Sequence, residues 1–428
     1  MLLNQKVQEC DATEASLLFQ SQAHTIKLLL LPVRMWIIAA VNTRWLIIFA
    51  FMHLIPIPDF LQLIIFCCFC AVVTIQLCYY LFIFRRLATY KAPEKTESQE
   101  YPVSVIVCAR DEAENIARNL PGILVQQYRT THEVIVVNDN STDETKFLLD
   151  EFKKSFKNIN PIALTQEAKM IPGKKFPLSM GIKSSKYEVV LLTDADCVPA
   201  SEHWIQKMQD AYHDDVQIVL GYGAYHKTHG LLNKLIRFET FHSALQYFSF
   251  ALAGMPYMGV GRNLSYKKEL FFNNKGFSAI NHIPGGDDDL FINKVATKDN
   301  TAIAIDPEAH TLSEPKKSFT EWQKQKYRHY TTSKYYKGKH KFWIGLYTFT
   351  QVLVYPCFVA ALLFYNWWLA LSVLGLRMLV QGIVWNKSMK KLNEADLFPY
   401  FILLDIWMFF YYLLFTPALF KKPAKNWN

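Results

Sequence analysis

Residues 189–197 read VVLLTDADC. A continuous apolar run closed by two carboxylates, Asp194 and Asp196, is the pattern of a strand buried on both faces whose end carries chemistry. Acids one residue apart on an extended chain project the same way, so both can reach one hard divalent cation and, through it, a diphosphate. As a structural feature alone the pair is costly, because like charges repel unless a metal or a proton intervenes. Working outward, short β-branched runs recur at 103–108 (VSVIVC), 133–138 (EVIVVN), 216–220 (VQIVL) and 301–305 (TAIAI). Helix-length segments separate them. Continuous rather than alternating apolar strands predict an α/β domain over residues 102–320, with a mainly parallel sheet covered by helices on both faces. Ligands gather at the carboxyl ends of such strands.

Two of those ends are polar. Ala109-Arg110-Asp111-Glu112 follows the first run, and Asn138-Asp139-Asn140-Ser141-Thr142-Asp143 follows the second. A carboxylate there can accept hydrogen bonds from a base or ribose, while Asn, Ser and Thr shape the turn and cap the next helix. Ser141-Thr142-Asp143 reads equally well as a bare turn with an N-cap.

The composition adds a second environment. Of 428 residues 51% are hydrophobic and 15% aromatic, which excludes a disordered chain. Only 19% are charged, below the roughly 25% usual for soluble domains. The net charge of +9 suits anionic headgroups or phosphorylated substrates. No dense basic block supports nucleic-acid binding, and none is expected. Eight cysteines could form a disulfide framework, but Cys67, Cys68, Cys70, Cys78 and Cys357 fall inside apolar runs and Cys108 and Cys197 end strands. They are expected to be small buried hydrophobes.

Residues 60–84 contain no Asp, Glu, Lys or Arg, long enough for a transmembrane helix. Arg85 and Arg86 then place the following linker, 85–101, in the cytoplasm by the positive-inside bias. Residues 342–420 predict two to three further spans: the uncharged stretch 342–376 is too long for one and splits near Asn366, and another runs from Leu397 to Phe420. Residues 1–59 comprise a polar leader with no cleaved signal pattern and, at 28–58, an apolar stretch interrupted by Arg34 and Arg44. That stretch reads either as a surface helix or as an extra span. This orientation puts the tail 421–428, with Lys421, Lys422 and Lys425, on the far side, unless the last segment is re-entrant. The expected location is a multi-pass cytoplasmic (inner) membrane protein.

The order of motifs resembles the family 2 glycosyltransferases, whose nucleotide-sugar domain has the GT-A fold, in their integral membrane form. Arg110-Asp111-Glu112 is similar to the family's ARNE-type element, and Val137 to Asp143 to its VDDGSTD. Gly173-Lys174 with Leu178 and Gly181 is similar to GKxxALNxG, and Asp194-Ala195-Asp196 to the DxD. Gly259, Gly261 and Asn263 to Tyr266 resemble GxGxNxxY, and Lys275-Gly276-Phe277 resembles GGF. Gly286-Asp287-Asp288-Asp289-Leu290 stands in the place of the acidic base element. Gln325-Lys326-Tyr327-Arg328-His329 resembles QxxRW, with His329 where the family has a stacking Trp, and opens the segment 321–341, expected to be an interfacial helix.

The resemblance implies a membrane-bound inverting transfer from a nucleotide-sugar, a UDP-sugar foremost, to a lipid or lipid-linked glycan acceptor. The alternative is a processive polysaccharide synthase. It further implies donor contacts from Ala109, Arg110, Glu112, Asp139, Lys174, Asp194 and Arg328, and Mg2+ or Mn2+ held by Asp194 and Asp196. The base would come from the acid triplet. Aligning Gly-Asp-Asp selects Asp288, counting three residues back from Leu290 selects Asp287, and the preference goes to Asp288. Asp289 reads better as a helix start. Gln325 and Arg328 would stabilise charge growing on the leaving group, a task suited to the guanidinium fork. Residues 231–253 and 322–336 are aromatic-rich and are expected to lie at headgroup level beside the active site, with core packing against the sheet as the alternative.

Overall fold

The computed structural model describes residues 58–93, 100–165, 173–213 and 215–420. The apolar stretch at 28–58 falls outside them except for its last residue, and so does the tail. A long helix, α1 (Asp59–Thr89), leads in, widened by a π-helical stretch at Tyr79–Phe84. The α/β domain then runs β1 (Val103–Ala109), α2 (Ala113–Leu124), β2 (His132–Asp139), α3 (Thr145–Ser155), β3 (Ile159–Leu164), α4 (Lys175–Ser184) and β4 (Val189–Asp194). It continues with β5 (Cys197–Pro199), α5 (Trp204–Gln209), β6 (Ile218–Leu220), β7 (Gly223–Tyr225), α6 (Leu231–Leu252), β8 (Leu264–Lys267) and α7 (Lys268–Asn273). It closes with α8 (Asp289–Val295), β9 (Thr301–Ile303) and β10 (Thr311–Ser313). Four helices complete the chain: α9 (Phe319–Ser333), α10 (Gly338–Phe364), α11 (Trp367–Lys391) and α12 (Phe401–Phe415).

The main sheet has seven strands in the order β3-β2-β1-β4-β8-β6-β9. All its pairings are parallel except those of β8, which is antiparallel to β4 and β6. A small sheet of β5, β10 and β7 stands beside the carboxyl end of β4. The doubly covered pattern is visible along β1: Val103, Val105 and Val107 enter one core, with Ile116 and Leu120 of α2, whereas Ile106 and Cys108 enter the other, with Leu178 and Ile182 of α4. Two runs shorten against expectation, since only Ile218–Leu220 and Thr301–Ile303 pair.

The second core does not stop at the domain. It passes through α6 into Tyr80, Phe84, Trp385 and Met408 of the apolar helices. This corrects the expected headgroup-level placement of residues 231–253: α6 is buried along nearly all its length. Phe238 and Phe241 lie 5.1 and 6.3 Å from the Trp385 ring on one side, and Tyr247 donates to the Gly221 carbonyl at 2.9 Å on the other. The apolar surplus on every face of α6 is what a helix wedged between a sheet and a bundle requires.

Four helices are long and apolar enough to cross a membrane: Asp59–Thr89, Gly338–Phe364, Trp367–Lys391 and Ala395–Phe420. Cys67, Cys68 and Cys78 are exposed on the first of them, so the expectation of buried cysteines holds for Cys108 and Cys197 and not for these. Inside the bundle, Arg377 and Asp405, both fully buried, pair at 2.7 Å, and Gln351, Gln381 and Tyr355 add hydrogen bonds to the pair.

Candidate active site

The loops after β1 and β2 turn through left-handed residues, Asp111 and Asn140, each at φ 54°. Asp and Asn tolerate that conformation better than other non-glycine residues. The loops then lock together. The Asp111 N–H donates to Ser141 Oγ at 3.0 Å, its Oδ1 accepts from Thr142 N–H at 2.7 Å, and Asp143 Oδ2 accepts from Ala113 N–H at 3.0 Å. The side chains of Asp111, Ser141, Thr142 and Asp143 are thereby occupied in joining two strand ends. Arg110 and Glu112 reach the cavity wall. Ala109 is fully buried at the end of β1. Asp139 is buried as well, with its carboxylate 4.0 Å from the Arg110 guanidinium.

At the end of β4, one ligand atom each of Asp194, Asp196 and Cys197 lie within 4.8 Å of one another. The donor set decides what could sit there. Burial pushes the Cys197 thiol well above its ordinary value, and its sulfur lies 3.0 Å from Ser313 Oγ, so it stays protonated and offers a hard cation nothing. Two carboxylates remain, without imidazole, and they fit Mg2+ or Mn2+. Asp194 already has a charge partner, the Lys174 ammonium. Burial works to raise the Asp194 carboxyl, but Lys174, with Arg262 and Arg328, holds it below the usual range. Burial also raises the Glu112 carboxyl, helped by Asp196 and Asp194.

The acid triplet lies beneath two left-handed glycines, Gly285 (φ 80°) and Gly286 (φ 83°). A Cβ on Gly286 would meet Leu290 Cδ1 at 2.5 Å, so the approach admits glycine alone. The three acids then differ sharply. Asp288 caps α8: its Oδ1 accepts from the Asp289 N–H at 2.7 Å and its Oδ2 from the Gly261 N–H at 2.8 Å. Burial, with Asp287 and Asp289 adding repulsion, pushes its carboxyl up to about 8. Asp289 is buried, and its Oδ2 accepts from Thr332 Oγ1 at 2.6 Å and Tyr336 Oη at 2.8 Å. Asp289 is the first residue of α8, as expected of a helix start, but it is buried rather than solvated and also anchors the end of α9, while Asp288 caps the helix. Asp287 lines the cavity and makes no hydrogen bond to the described residues.

Helix α9, capped by Ser318 Oγ accepting from the Glu321 N–H, brings Gln325 and Arg328 to the same cavity. Gln325 Oε1 is buried without a hydrogen-bond partner among the described residues. Lys326, on the inner face of α9, pairs with Glu239 of α6. Arg262 was not singled out in the sequence, although it sits inside the Gly259–Tyr266 segment. Its guanidinium stacks 4.5 Å over the Tyr225 ring and donates to Ser313 Oγ at 3.2 Å, beside the Asp194/Asp196 pair. One cavity of about 1750 Å³ is lined by Arg110, Glu112, Lys174, the Asp194/Asp196 pair, Arg262, the acid triplet, Gln325 and Arg328, but not by Ala109 or Asp139, and it continues past the acid triplet between α10 and α12.

Residues 104–277 match the family model Glycosyl transferase family 2. Poly-beta-1,6-N-acetyl-D-glucosamine synthase of Staphylococcus epidermidis is 32% identical over 126 residues, 28% of this chain and 28% of that protein. Glycosyltransferase AglE of Haloferax volcanii is 31% identical over 106 residues, 24% of this chain and 33% of that one. The matched segment thus spans about a third or less of these curated relatives. Among solved structures, mannosyltransferase PcManGT from Pyrobaculum calidifontis, in complex with GDP-Man and Mn2+, superposes at TM-score 0.51 with 19% identity, covering 81% of this chain and 99% of that one. That likeness concerns the fold.

Proposed function

We propose that this protein, whose residues 104–277 are a family 2 glycosyltransferase domain on a GT-A sheet, is a multi-pass enzyme of the cytoplasmic membrane. In this reading it moves a sugar with inversion from a nucleotide-sugar, UDP-linked foremost, to a lipid or lipid-linked acceptor. One observation carries it: a single cavity joins the Asp194/Asp196 pair, the acid triplet and Gln325/Arg328, and then enters the space between two span-length helices.

The chain's own groups divide the work. Arg110 and Glu112, on the Asp139 side of the cleft, hold the nucleoside. Mg2+ or Mn2+, held by Asp196 with Asp194, would supply Lewis-acid neutralisation of the departing diphosphate. Lys174 stands beside Asp194 and turns to phosphate when the donor is in place. Arg328, with Gln325, bears on the charge that grows on the leaving group. For the base, geometry moves the sequence preference by one residue. Both Asp288 oxygens serve backbone amides, and a carboxyl at about 8 holds its proton at neutral pH. Asp287 is the acid whose oxygens stay free to accept a proton from an acceptor hydroxyl.

A processive polysaccharide synthase is the second reading, favoured by the likeness to the poly-N-acetylglucosamine synthase segment. Against it, the part of the cavity between α10 and α12 carries Ile344, Phe349, Val352, Met408 and Leu413 beside Thr348, Tyr411 and Tyr412, and no charged group of α10 or α12 lines it beyond Lys341, whereas a hydrated glycan needs polar walls along its whole length. The test is release of UDP or GDP from a panel of nucleotide-sugars by the full chain in detergent, with and without EDTA. Turnover that EDTA abolishes and Mn2+ restores supports the reading. Release from no donor, or full activity in EDTA, overturns it or its metal.

A further inference from the structure

The cavity changes character along its length. At the acid triplet its walls are charged. One helical turn onward, α6 presents Glu239, Ser243 and Gln246 on one face, at i, i+4 and i+7. Ser243 Oγ and Tyr411 Oη both donate to Glu239 Oε1, at 3.1 and 3.2 Å, and Gln246 Nε2 donates to Tyr412 Oη at 3.2 Å. Farther on, the wall is a stripe of α10 comprising Ile344, Gly345, Thr348, Phe349 and Val352, facing Met408 and Leu413 of α12. From Ile344 to Val352 that stripe runs about 12 Å at roughly 1.5 Å per residue. It lies within two span-length helices. Phe349 and Leu413 are 61% and 49% exposed, so this end of the cavity is not sealed by core packing.

Charge, then hydroxyl and amide, then hydrocarbon is the order of groups along an amphiphile. We infer that the section between α10 and α12 is a hydrocarbon-chain subsite, and that Gly345 sets its width. It would hold the apolar chain of a lipid acceptor whose hydroxylated head lies against the Glu239 face, within reach of Asp287. This deepens the transferase reading and rests on it for the identity of the occupant as an acceptor. Gly345 is the sharp point: it lines the cavity, it is exposed, and a Cβ built on it meets nothing within 4 Å, so a large side chain there adds bulk to an open stretch of the wall. Gly375 on α11 is a matched control, also open around its Cβ but outside the cavity wall.

The test uses a photoreactive hexadecyl glucoside carrying a diazirine on its chain, with the full-length protein in nanodiscs and peptide mapping of the adduct. Adducts are expected on 344–352 and 408–413. Gly345→Ala should keep them, Gly345→Leu should cut them by roughly tenfold or more through overpacking, and Gly375→Leu should leave them unchanged. The subsite is overturned by equal labelling in Gly345→Leu, by adducts confined to the outer faces of α1 and α11, or by displacement with a soluble oligosaccharide but not with hexadecanol. Labelling needs neither donor nor turnover. A labelled cavity in a protein that hydrolyses no nucleotide-sugar therefore sinks the transferase reading alone, and donor turnover without labelling sinks the subsite alone.

Discussion

One residue of register separates Asp287 from Asp288, and their surroundings set them opposite tasks. Asp287→Asn should lower acceptor-dependent transfer by the roughly 10²–10⁴-fold that a positioned base contributes, with nucleotide binding retained. Asp288→Asn should keep most transfer, because the amide oxygen still caps α8, although the hydrogen bond from the Gly261 N–H is lost. Measuring both variants beside titration calorimetry with UDP decides the matter, and a dead Asp288→Asn with an active Asp287→Asn would restore the sequence preference. The raised Asp288 carboxyl makes a separate, thermodynamic prediction. Its folded value of about 8 lies above the unfolded value, about 3.9 for a free Asp. Its contribution to stability is therefore full below about pH 4 and lost as pH rises through about 8. Melting temperatures of wild type and Asp288→Asn should diverge over that window in favour of the variant; parallel curves would show that Asp288 is an ordinary ionised acid. The sequence could not separate the two aspartates, because the distinction lies in which backbone amides reach which carboxylate. Asp194 and Asp196 were legible because a strand end fixes direction within a few residues. Arg262 was not, since only the fold swings β8's entry loop beside the end of β4.

At the scale of elements, uncharged apolar length found the long bundle helices, and apolar content misplaced α6 for a physical reason. A helix apolar all round reads the same whether it lies on a bilayer or is wedged under one, and only Trp385 and the sheet on either side decide. The short pieces β5, β7, β8 and β10 carry too few residues for a period to register. Helix α9 is held at three points: Trp322 packs against Phe415 with ring centroids 5.6 Å apart, Lys326 meets Glu239, and Asp289 accepts from Thr332 and Tyr336. The bundle depends on a different clamp. With Arg377 and Asp405 fully buried, Asp405→Leu leaves an uncompensated guanidinium and should cost about 3–5 kcal/mol, whereas the double change Arg377→Leu/Asp405→Leu should recover most of it. Thermal unfolding in detergent measures both. Equal loss in single and double variants would mean that the pair supplies net stabilisation.

Across the whole molecule, basic residues at the ends of three described apolar helices share one level. Arg85 and Arg86 end the first span's apolar run, Lys390 and Lys391 close α11, and Lys339 and Lys341 open α10. All adjoin the α/β domain, an arrangement in keeping with the cytoplasmic placement proposed above. A cysteine at Lys154, whose side chain is 70% exposed on α3, should react with an impermeant maleimide only after the membrane is opened, against the parent's background. Reaction in intact cells would reverse the orientation. The domain is also pinned to the bundle. Arg237 of α6 reaches Glu394 at 2.9 Å and Asp396 at 2.7 Å in the α11–α12 turn, and Lys227 reaches Asp396 at 3.0 Å. A catalytic unit bolted down in this way cannot adjust its height independently of its anchors. Bilayer thickness then becomes a control on catalysis, because hydrophobic mismatch tilts or sinks the helices and carries the cleft with them. In vesicles of increasing acyl-chain length, transfer to a membrane-borne acceptor should pass through an optimum, while hydrolysis of the water-soluble donor stays level.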